Sequence, residues 1–240
     1  MKVVIFLLVA LCSSLSFSAE CVILLHGLAR TSSSMVEMSQ KLSREGYYVA
    51  NINYPSRKMD IEKLSELAVK DGLNRCQENS AAPVNFVTHS LGGILVRQFY
   101  KNKTPGNVKR VVMLGPPNNG SEVVDSLKNI PGYELMNGPA GMQLGTEKID
   151  TPKSLGPVNF ELGVIAGTQS INLILSTYLP DPNDGKVSVE SAKVEGMCGF
   201  LALPVTHPFM MKNDGVITEV VSFLSSGKFN NKEAIDYCDK

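Results

Sequence analysis

The sequence has no excess of charge of either sign. Its 23 lysines and arginines balance 23 aspartates and glutamates. Nucleic acids and acidic lipid surfaces attract proteins mainly through a positive surplus that is missing here. We therefore expect no nucleic-acid partner, and any contact with a membrane would have to be apolar.

The sequence also lacks the ligand spacing of a metal site. Five cysteines and three histidines are present, but there is no Cys-x-x-Cys pair and no histidine close to two cysteines. Structural zinc sites depend on such closely spaced ligands. We expect no metal and no other cofactor.

No apolar run is long enough to cross a membrane. Lys2 precedes an apolar run over residues 3–11, and small serines follow it up to Ala19. A spanning helix needs about 20 apolar residues, whereas this shorter pattern is typical of a secretory signal peptide. We predict a signal peptide over residues 1–18 and export to the periplasm or the outside of the cell.

Residues 19–240 alternate between short apolar runs and segments of helical periodicity. The runs predict strands at residues 21–25, 47–52, 84–88, 110–114, 163–166 and 201–203, the last extended by Val205. Helices are predicted between them: Ser34 and Glu37 form a capping-box pattern, Asp60 caps a second helix, and a last helix begins at Asn213 and ends at Gly227.

This alternation predicts a single α/β domain with a doubly wound, mainly parallel sheet of about six core strands. Residues 129–163 are rich in glycine and proline with little periodicity, so we expect an irregular cap there. The second strand and the strand at residues 84–88 should flank the first strand on opposite sides. Ligands bind at such a switch point. The oligomeric state is left open.

Four cysteines remain after the signal peptide, an even number that favours disulfides in an exported protein. Cys21 precedes the first strand and Cys76 ends the helix that leads to residues 84–88. Cys198 precedes the sixth strand and Cys238 follows the last helix. Neighbouring positions at this end of the sheet predict the pairs Cys21–Cys76 and Cys198–Cys238.

Residues 84–93 read as strand, sharp turn and helix with Ser90 at the apex. Such a turn lifts the hydroxyl clear of both elements and directs the amide of Leu91 and the positive end of the helix toward it. Gly92 and Gly93 suit a close crossing of helix and strand. A serine that merely caps an ordinary helix is the alternative.

A serine hydroxyl needs a neighbouring imidazole and a carboxylate to become nucleophilic. His207 follows the sixth strand at the sheet edge where Ser90 emerges, whereas His26 lies after the first strand and His89 should point away from its neighbour. The loop after the fifth strand offers two carboxylates, Asp181 and Asp184. Either could instead be a turn residue.

Five short motifs together resemble the α/β-hydrolase superfamily, and most closely its small exported bacterial lipases and esterases. They are His26-Gly27, Thr88-His89-Ser90-Leu91-Gly92-Gly93, the Gly-Pro-Pro-Asn-Asn-Gly-Ser run at residues 115–121, Asn-Asp-Gly-Lys-Val at residues 183–187, and Thr206-His207. The resemblance implies a Ser90–Asp184–His207 triad that cleaves carboxylic esters through an acyl-enzyme. It also implies an oxyanion hole formed by the Leu28 and Leu91 amides.

The substrate is then expected to be a small or lipid-like ester. An acyltransferase with the same triad and a non-catalytic binding protein with this fold are the alternatives. No basic cluster in the sequence indicates a phosphorylated substrate, although Arg30 and Arg57 could bind a carboxylate. The apolar residues at 171–175, with Tyr178 and Leu179, could line an acyl pocket, but core packing is the ordinary interpretation.

Overall fold

A computed structural model describes residues 18–238. Except for Ser18, the predicted signal peptide lies outside these residues. The described residues contain no helix that is both long and apolar enough to cross a membrane.

Within residues 18–238, seven strands form one sheet in the order β2-β1-β3-β4-β5-β6-β7. They are β1 (Cys21–Leu25), β2 (Tyr48–Ile52), β3 (Val84–His89), β4 (Val108–Leu114), β5 (Leu162–Gly167), β6 (Gly199–Leu203) and β7 (Ile235–Asp236). All neighbouring pairs are parallel except β6 and β7. The doubly wound α/β fold and the predicted placement of β1 between β2 and β3 are confirmed. The two-residue antiparallel β7 was not predicted.

Nine α-helices connect or follow these strands within residues 18–238. They are α1 (Val36–Arg44), α2 (Ile61–Glu78), α3 (Leu91–Tyr100), α4 (Glu122–Leu127), α5 (Tyr133–Met142), α6 (Thr151–Ser154), α7 (Leu173–Ser176), α8 (Val189–Ala192) and α9 (Asp214–Ser226). Short 3-10 helices cover Ser32–Met35 and His207–Lys212.

Side chains of each central strand alternate between two cores. Ile23 and Leu25 of β1 pack with α2 and α3 on one face, whereas Val22 and Leu24 pack with α1 and α9 on the other. The whole of β1 is buried, as expected of a parallel strand covered by helices on both faces.

Two of the predicted helix caps are confirmed. The Asp60 side chain accepts a hydrogen bond from the Lys63 amide at the start of α2, and Asn213 accepts one from the Val216 amide at the start of α9. Gly227 ends α9 with a φ of 81°, a conformation that glycine adopts without strain.

The predicted capping box at Ser34 is wrong. Ser34 lies inside the 3-10 helix, and its hydroxyl donates to the Thr31 carbonyl instead of capping α1. The predicted irregular cap also has more structure than expected, since α5 and α6 lie within residues 129–163. Gly138, with φ 68° and ψ −179°, interrupts α5 and therefore hid its periodicity.

Both predicted disulfides, Cys21–Cys76 and Cys198–Cys238, are present. Cys21 begins β1 and Cys198 directly precedes β6. The covalent links therefore lie at the amino-terminal ends of the parallel strands, and the carboxyl ends of those strands are left to the functional site.

Candidate active site

Ser90 occupies a sharp turn between β3 and α3. Its φ of 52° and ψ of −118° are strained for a residue other than glycine, at a typical cost of about 1–3 kcal/mol. The Ser90 amide donates to the Leu114 carbonyl at 2.9 Å, and the Gly93 amide donates to the Ser90 carbonyl at 3.0 Å. The Ser90 side chain does not cap α3, so the ordinary N-cap interpretation does not hold.

The predicted small residues permit a close crossing behind this turn. A β-carbon on Gly92 would lie 2.6 Å from the Leu25 carbonyl oxygen of β1, and one on Gly93 would lie 3.0 Å from Sδ of Met113. The first contact, to a backbone oxygen, is too short for a larger side chain, and the second would require Met113 to shift. Glycine at these positions lets α3 start directly above the sheet.

Two backbone segments adjoin the Ser90 turn or its cavity. The Leu91 amide is the first of α3, where helical amides have no carbonyl of their own helix to bind. Leu28 lies in the loop after β1 and lines the same cavity as Ser90. Ala29, next in that loop, has a φ of 55°, and its amide donates to Ser56 Oγ at 3.1 Å.

His207 and Asp184 form a buried pair at the same cavity. The distance from His207 Nδ1 to Asp184 Oδ2 is 2.7 Å, and the two residues are 8% and 2% exposed. Because the carboxylate accepts, Nδ1 carries the hydrogen of the neutral imidazole, and Nε2 is then the acceptor nitrogen. An imidazole in this state can accept a proton from a hydroxyl group.

The loop around Asp184 satisfies the other carboxylate oxygen. Oδ1 accepts from the amides of Lys186 at 2.9 Å and Val187 at 2.8 Å. The His207 amide in turn donates to the Asp184 carbonyl at 3.2 Å. By contrast, Asp181 is exposed and accepts a hydrogen bond from Asn183 Nδ2. The structure thus brings Asp184, and not Asp181, to the histidine.

The other two histidines make backbone contacts. His89 is buried, and its Nε2 donates to the His207 carbonyl at 3.0 Å. His26 donates from Nδ1 to the Gly27 carbonyl at 2.9 Å and stacks on Tyr54. Burial lowers the pKa of both imidazoles, so both rings are neutral near pH 7.

Two glycines make room for the His207–Asp184 pair. The sequence analysis named Gly115 only as the start of the motif at residues 115–121, and it did not name Gly167. A β-carbon on Gly115, at the end of β4, would lie 2.9 Å from Asp184 Oδ2 and 3.1 Å from His207 Nδ1. One on Gly167, at the end of β5, would lie 2.8 Å from the Asp184 β-carbon. The sequence signal that the two glycines share is their position at the end of an apolar strand.

A buried arginine holds the surrounding loops together. Arg97 of α3 is 4% exposed and donates to carbonyls of Asn118, Pro152 and Gly156. Burial lowers its pKa to about 10, so it stays charged at neutral pH. The Ser121 hydroxyl extends this support by donating to the Lys186 carbonyl beside Asp184. The run at residues 115–121 thereby helps to hold the loop that carries Asp184 in place.

A cavity of about 460 Å³ opens over Ser90 and His207. Its apolar walls come from the loop after β1, from α4, from the segment after α5, and from α7 with the residues just before it. They include Leu28, Val123, Val124, Leu144, Ile171 and Leu175. The core-packing interpretation is wrong for Leu173 and Ile174, which are 76% and 75% exposed, and Ile171 and Leu175 line the cavity. Leu179, at 7% exposed, is buried as that interpretation expected.

A second cavity adjoins the first and shares Ala29 and Arg30 with it. Arg57 and Lys58 line it as well. The sequence showed no basic cluster, because these cations follow two different strands and meet only in the folded protein. We call this the basic cavity.

Residues 21–222 match a family model described as palmitoyl protein thioesterase. The chain belongs to this family. Membership in the palmitoyl protein thioesterase family, together with the fold, confirms the predicted α/β-hydrolase and carboxylic ester hydrolase class. Comparison with curated protein sequences gives no match.

Solved structures share the fold of this family member at low identity. The mature form of Bacillus licheniformis lipase BlEst2 aligns with a TM-score of 0.67 and 18% identity over 88% of this chain and 92% of that chain. An Exiguobacterium antarcticum esterase, EaEST, gives 0.58 and 13% over 87% and 93%.

Aspergillus fumigatus lipase B gives a TM-score of 0.64 and 18% identity over 86% of this chain. The chain spans 52% of that lipase and 51% of the propeptide form of BlEst2. These likenesses concern the fold alone.

Proposed function

We propose that the protein hydrolyses carboxylic esters, thioesters included, through a Ser90–His207–Asp184 triad. The observation that carries this proposal is the 2.7 Å contact between His207 Nδ1 and Asp184 Oδ2 at the cavity that holds Ser90. It fixes the tautomer that a general base needs.

In the proposed reaction Ser90 Oγ attacks the acyl carbonyl while His207 Nε2 takes its proton. The tetrahedral intermediate collapses, the acyl–oxygen or acyl–sulfur bond breaks, and His207 returns the proton to the leaving alcohol or thiol. Water then attacks the acyl-enzyme with His207 again as base, which releases the acid and free Ser90. Asp184 stabilises the imidazolium formed in each half-reaction.

The amides of Leu28 and Leu91 are the proposed oxyanion donors. Leu91 begins α3, so its amide also carries the positive end of the helix dipole. Each such donor is worth about 2.7–4 kcal/mol in the transition state by precedent. The hydrogen bond from the Ala29 amide to Ser56 Oγ holds the Leu28 loop in place.

The proposed acyl group is aliphatic, because the walls beside Ser90 are formed by Leu28, Val123, Val124 and Leu144. A cavity of about 460 Å³ is within the range of ordinary small-molecule sites. The description of the family, palmitoyl protein thioesterase, agrees with an aliphatic acyl substrate.

We also propose export, to the periplasm or outside the cell, by a signal peptide over residues 1–18. The two disulfides support an oxidising destination.

A fluorophosphonate probe followed by peptide mass spectrometry tests the triad. We expect the adduct on Ser90, no rapid labelling of His207→Ala, and a much smaller reduction for His89→Ala. Labelling at another serine, or full-rate labelling of His207→Ala, would contradict the proposal.

An ester and thioester panel of graded acyl length, with and without added alcohols, tests the reaction type. Release of free acid without transfer to the alcohol is expected. Predominant transfer would instead identify an acyltransferase, and binding without turnover would identify a non-catalytic protein.

A further inference from the structure

The basic cavity has a volume of about 540 Å³ and lies beside the proposed oxyanion loop. Arg30 is part of the wall of both cavities, and its backbone is two residues beyond Leu28. A molecule held at Ser90 can therefore extend past Arg30 into this space.

Three cations and no acidic residue line the basic cavity. Arg30, Arg57 and Lys58 are exposed, and none of them forms an ion pair within residues 18–238. No aspartate or glutamate is among the residues that line the cavity. The acid nearest in sequence, Asp60, is bound by the Lys63 ammonium at 2.8 Å. The cavity thus concentrates positive charge that the protein itself does not neutralise.

The backbone carrying these cations is held from three sides. Tyr54, at the start of this loop, donates its amide to His26 Nε2 at 3.4 Å. Ser56 is buried and accepts from the Ala29 amide. On the far side α5 comes so close that a β-carbon on Gly138 would lie 2.0 Å from the Arg57 carbonyl oxygen. The backbone from which Arg57 and Lys58 project is therefore held in place before a ligand arrives.

We propose that the basic cavity binds a phosphate group on the leaving portion of the substrate. A phosphate monoester carries about −1.5 to −2 charges at pH 7, which three unpaired cations can neutralise. The planar guanidinium of arginine also matches phosphate oxygens in a bidentate manner. A carboxylate carries only one negative charge and would neutralise less of the positive charge in this cavity.

The orientation of the substrate across the two cavities rests on the proposed function. An aliphatic acyl chain fits the apolar walls near Val124 and Leu144, with its carbonyl at Ser90. The alcohol or thiol portion then lies on the other side of the scissile bond, toward Arg30 and the basic cavity. Preferred substrates are thus acyl esters or thioesters whose leaving group is phosphorylated.

A matched pair of soluble substrates tests the proposal: 1-hexanoylglycerol and 1-hexanoylglycerol 3-phosphate, which differ only in the phosphate. We expect kcat/KM to be about tenfold higher for the phosphorylated ester, the effect of one charge-assisted contact. In the Arg57→Gln/Lys58→Gln variant this ratio should fall close to one.

The matched control removes two cations elsewhere. Lys101→Gln/Lys232→Gln changes exposed lysines, and Lys101 is at the end of α3 far from Ser90. A helix of 10 residues places this end about 15 Å from the turn. The control should keep the tenfold ratio. A ratio that falls equally in both double variants would indicate a general charge effect and overturn the proposal.

The source of the phosphate is distinguished by a long-chain version of the same ester pair in neutral vesicles. A preference in both formats indicates a lipid headgroup, and a preference for the soluble pair alone indicates a soluble phosphorylated leaving group. Hydrolysis of both soluble esters with a ratio near one in the unaltered protein would overturn this inference and leave the triad standing. Absence of turnover together with absence of Ser90 labelling would refute the triad itself.

Discussion

Gly115 lies against the Asp184 carboxylate so closely that a β-carbon would be 2.9 Å from Oδ2. The same atom would be 3.1 Å from Nδ1 of His207. Only a hydrogen fits between the end of β4 and this pair. The hydrogen bond between acid and base therefore depends on a residue that bears no functional group.

Gly115→Ala is expected to lower kcat/KM by about 10²-fold, the size of effect that follows a displacement of about 1 Å at a reacting group. The methyl group must push the carboxylate or the imidazole away from its partner. Steady-state hydrolysis of a neutral short-chain ester measures this loss.

Gly106→Ala is the matched control. Gly106 has a φ of 62°, close to the 53° of Gly115, but a β-carbon there would meet nothing within 4 Å. Both variants should lose about 1–2 kcal/mol of stability from the positive φ, and only Gly115→Ala should lose activity. Equal activity of the two variants would show that the contact with the pair is unimportant.

Asp184→Asn should reduce kcat by about 10⁴-fold, as the corresponding change does in a serine protease with the same kind of triad. The amide cannot stabilise an imidazolium and can hold the wrong tautomer of His207. Circular dichroism and kcat measured on the same preparation separate this loss from unfolding.

Asp181→Asn is the paired comparison. Asp181 is exposed, and its carboxylate accepts a hydrogen bond from the Asn183 side-chain amide rather than from a histidine. The kcat of this variant should therefore stay within a few fold of the original. If it were inactive and Asp184→Asn active, the acid would be misassigned.

The sequence could suggest the acid only by resemblance, since two aspartates three residues apart suit the same turn. The tertiary contact with His207 distinguishes them. The contact of Gly115 with this pair and the basic cavity were missed for a related reason. Their importance comes from residues distant in sequence, and no local periodicity records that proximity.

Acid should destabilise the fold through His26 and His89. Both imidazoles have a folded-state pKa lowered by burial from the usual 6.5. Below about pH 6.5 the unfolded chain therefore binds more protons than the folded one, and stability decreases as the pH falls. We expect Tm to drop between pH 7 and pH 5, and to drop less steeply in His26→Gln/His89→Gln. The same decrease of Tm with pH in both proteins would show that His26 and His89 are not the cause.

The two disulfides should differ in their contribution to stability. Loop lengths of 55 and 40 residues predict nearly equal chain-entropy effects of about 2–4 kcal/mol. Cys21 and Cys76 are fully buried, however, whereas Cys238 is exposed. Cys21→Ala/Cys76→Ala should therefore cost more than Cys198→Ala/Cys238→Ala, because it also leaves a cavity. Urea unfolding measures the difference, and a larger cost for the second pair would contradict it.

Most of the sheet could be predicted because buried parallel strands are continuous apolar runs such as residues 21–25. The disulfide pairs followed from the strand order. β7 has only two residues, and its pairing with β6 leaves no pattern of its own. Ser34 failed as a cap because a capping-box sequence also suits the 3-10 turn that precedes α1.

The position of His207 after β6 makes the proposed active site a reporter of chain completion. Ser90 follows β3, in the middle of the sheet, whereas β6 joins through β5 and is synthesised more than a hundred residues later. A nascent or truncated chain that lacks β6 has its nucleophile but not its base. Rapid reaction of Ser90 with a fluorophosphonate during translation would therefore time the docking of the last parallel strand.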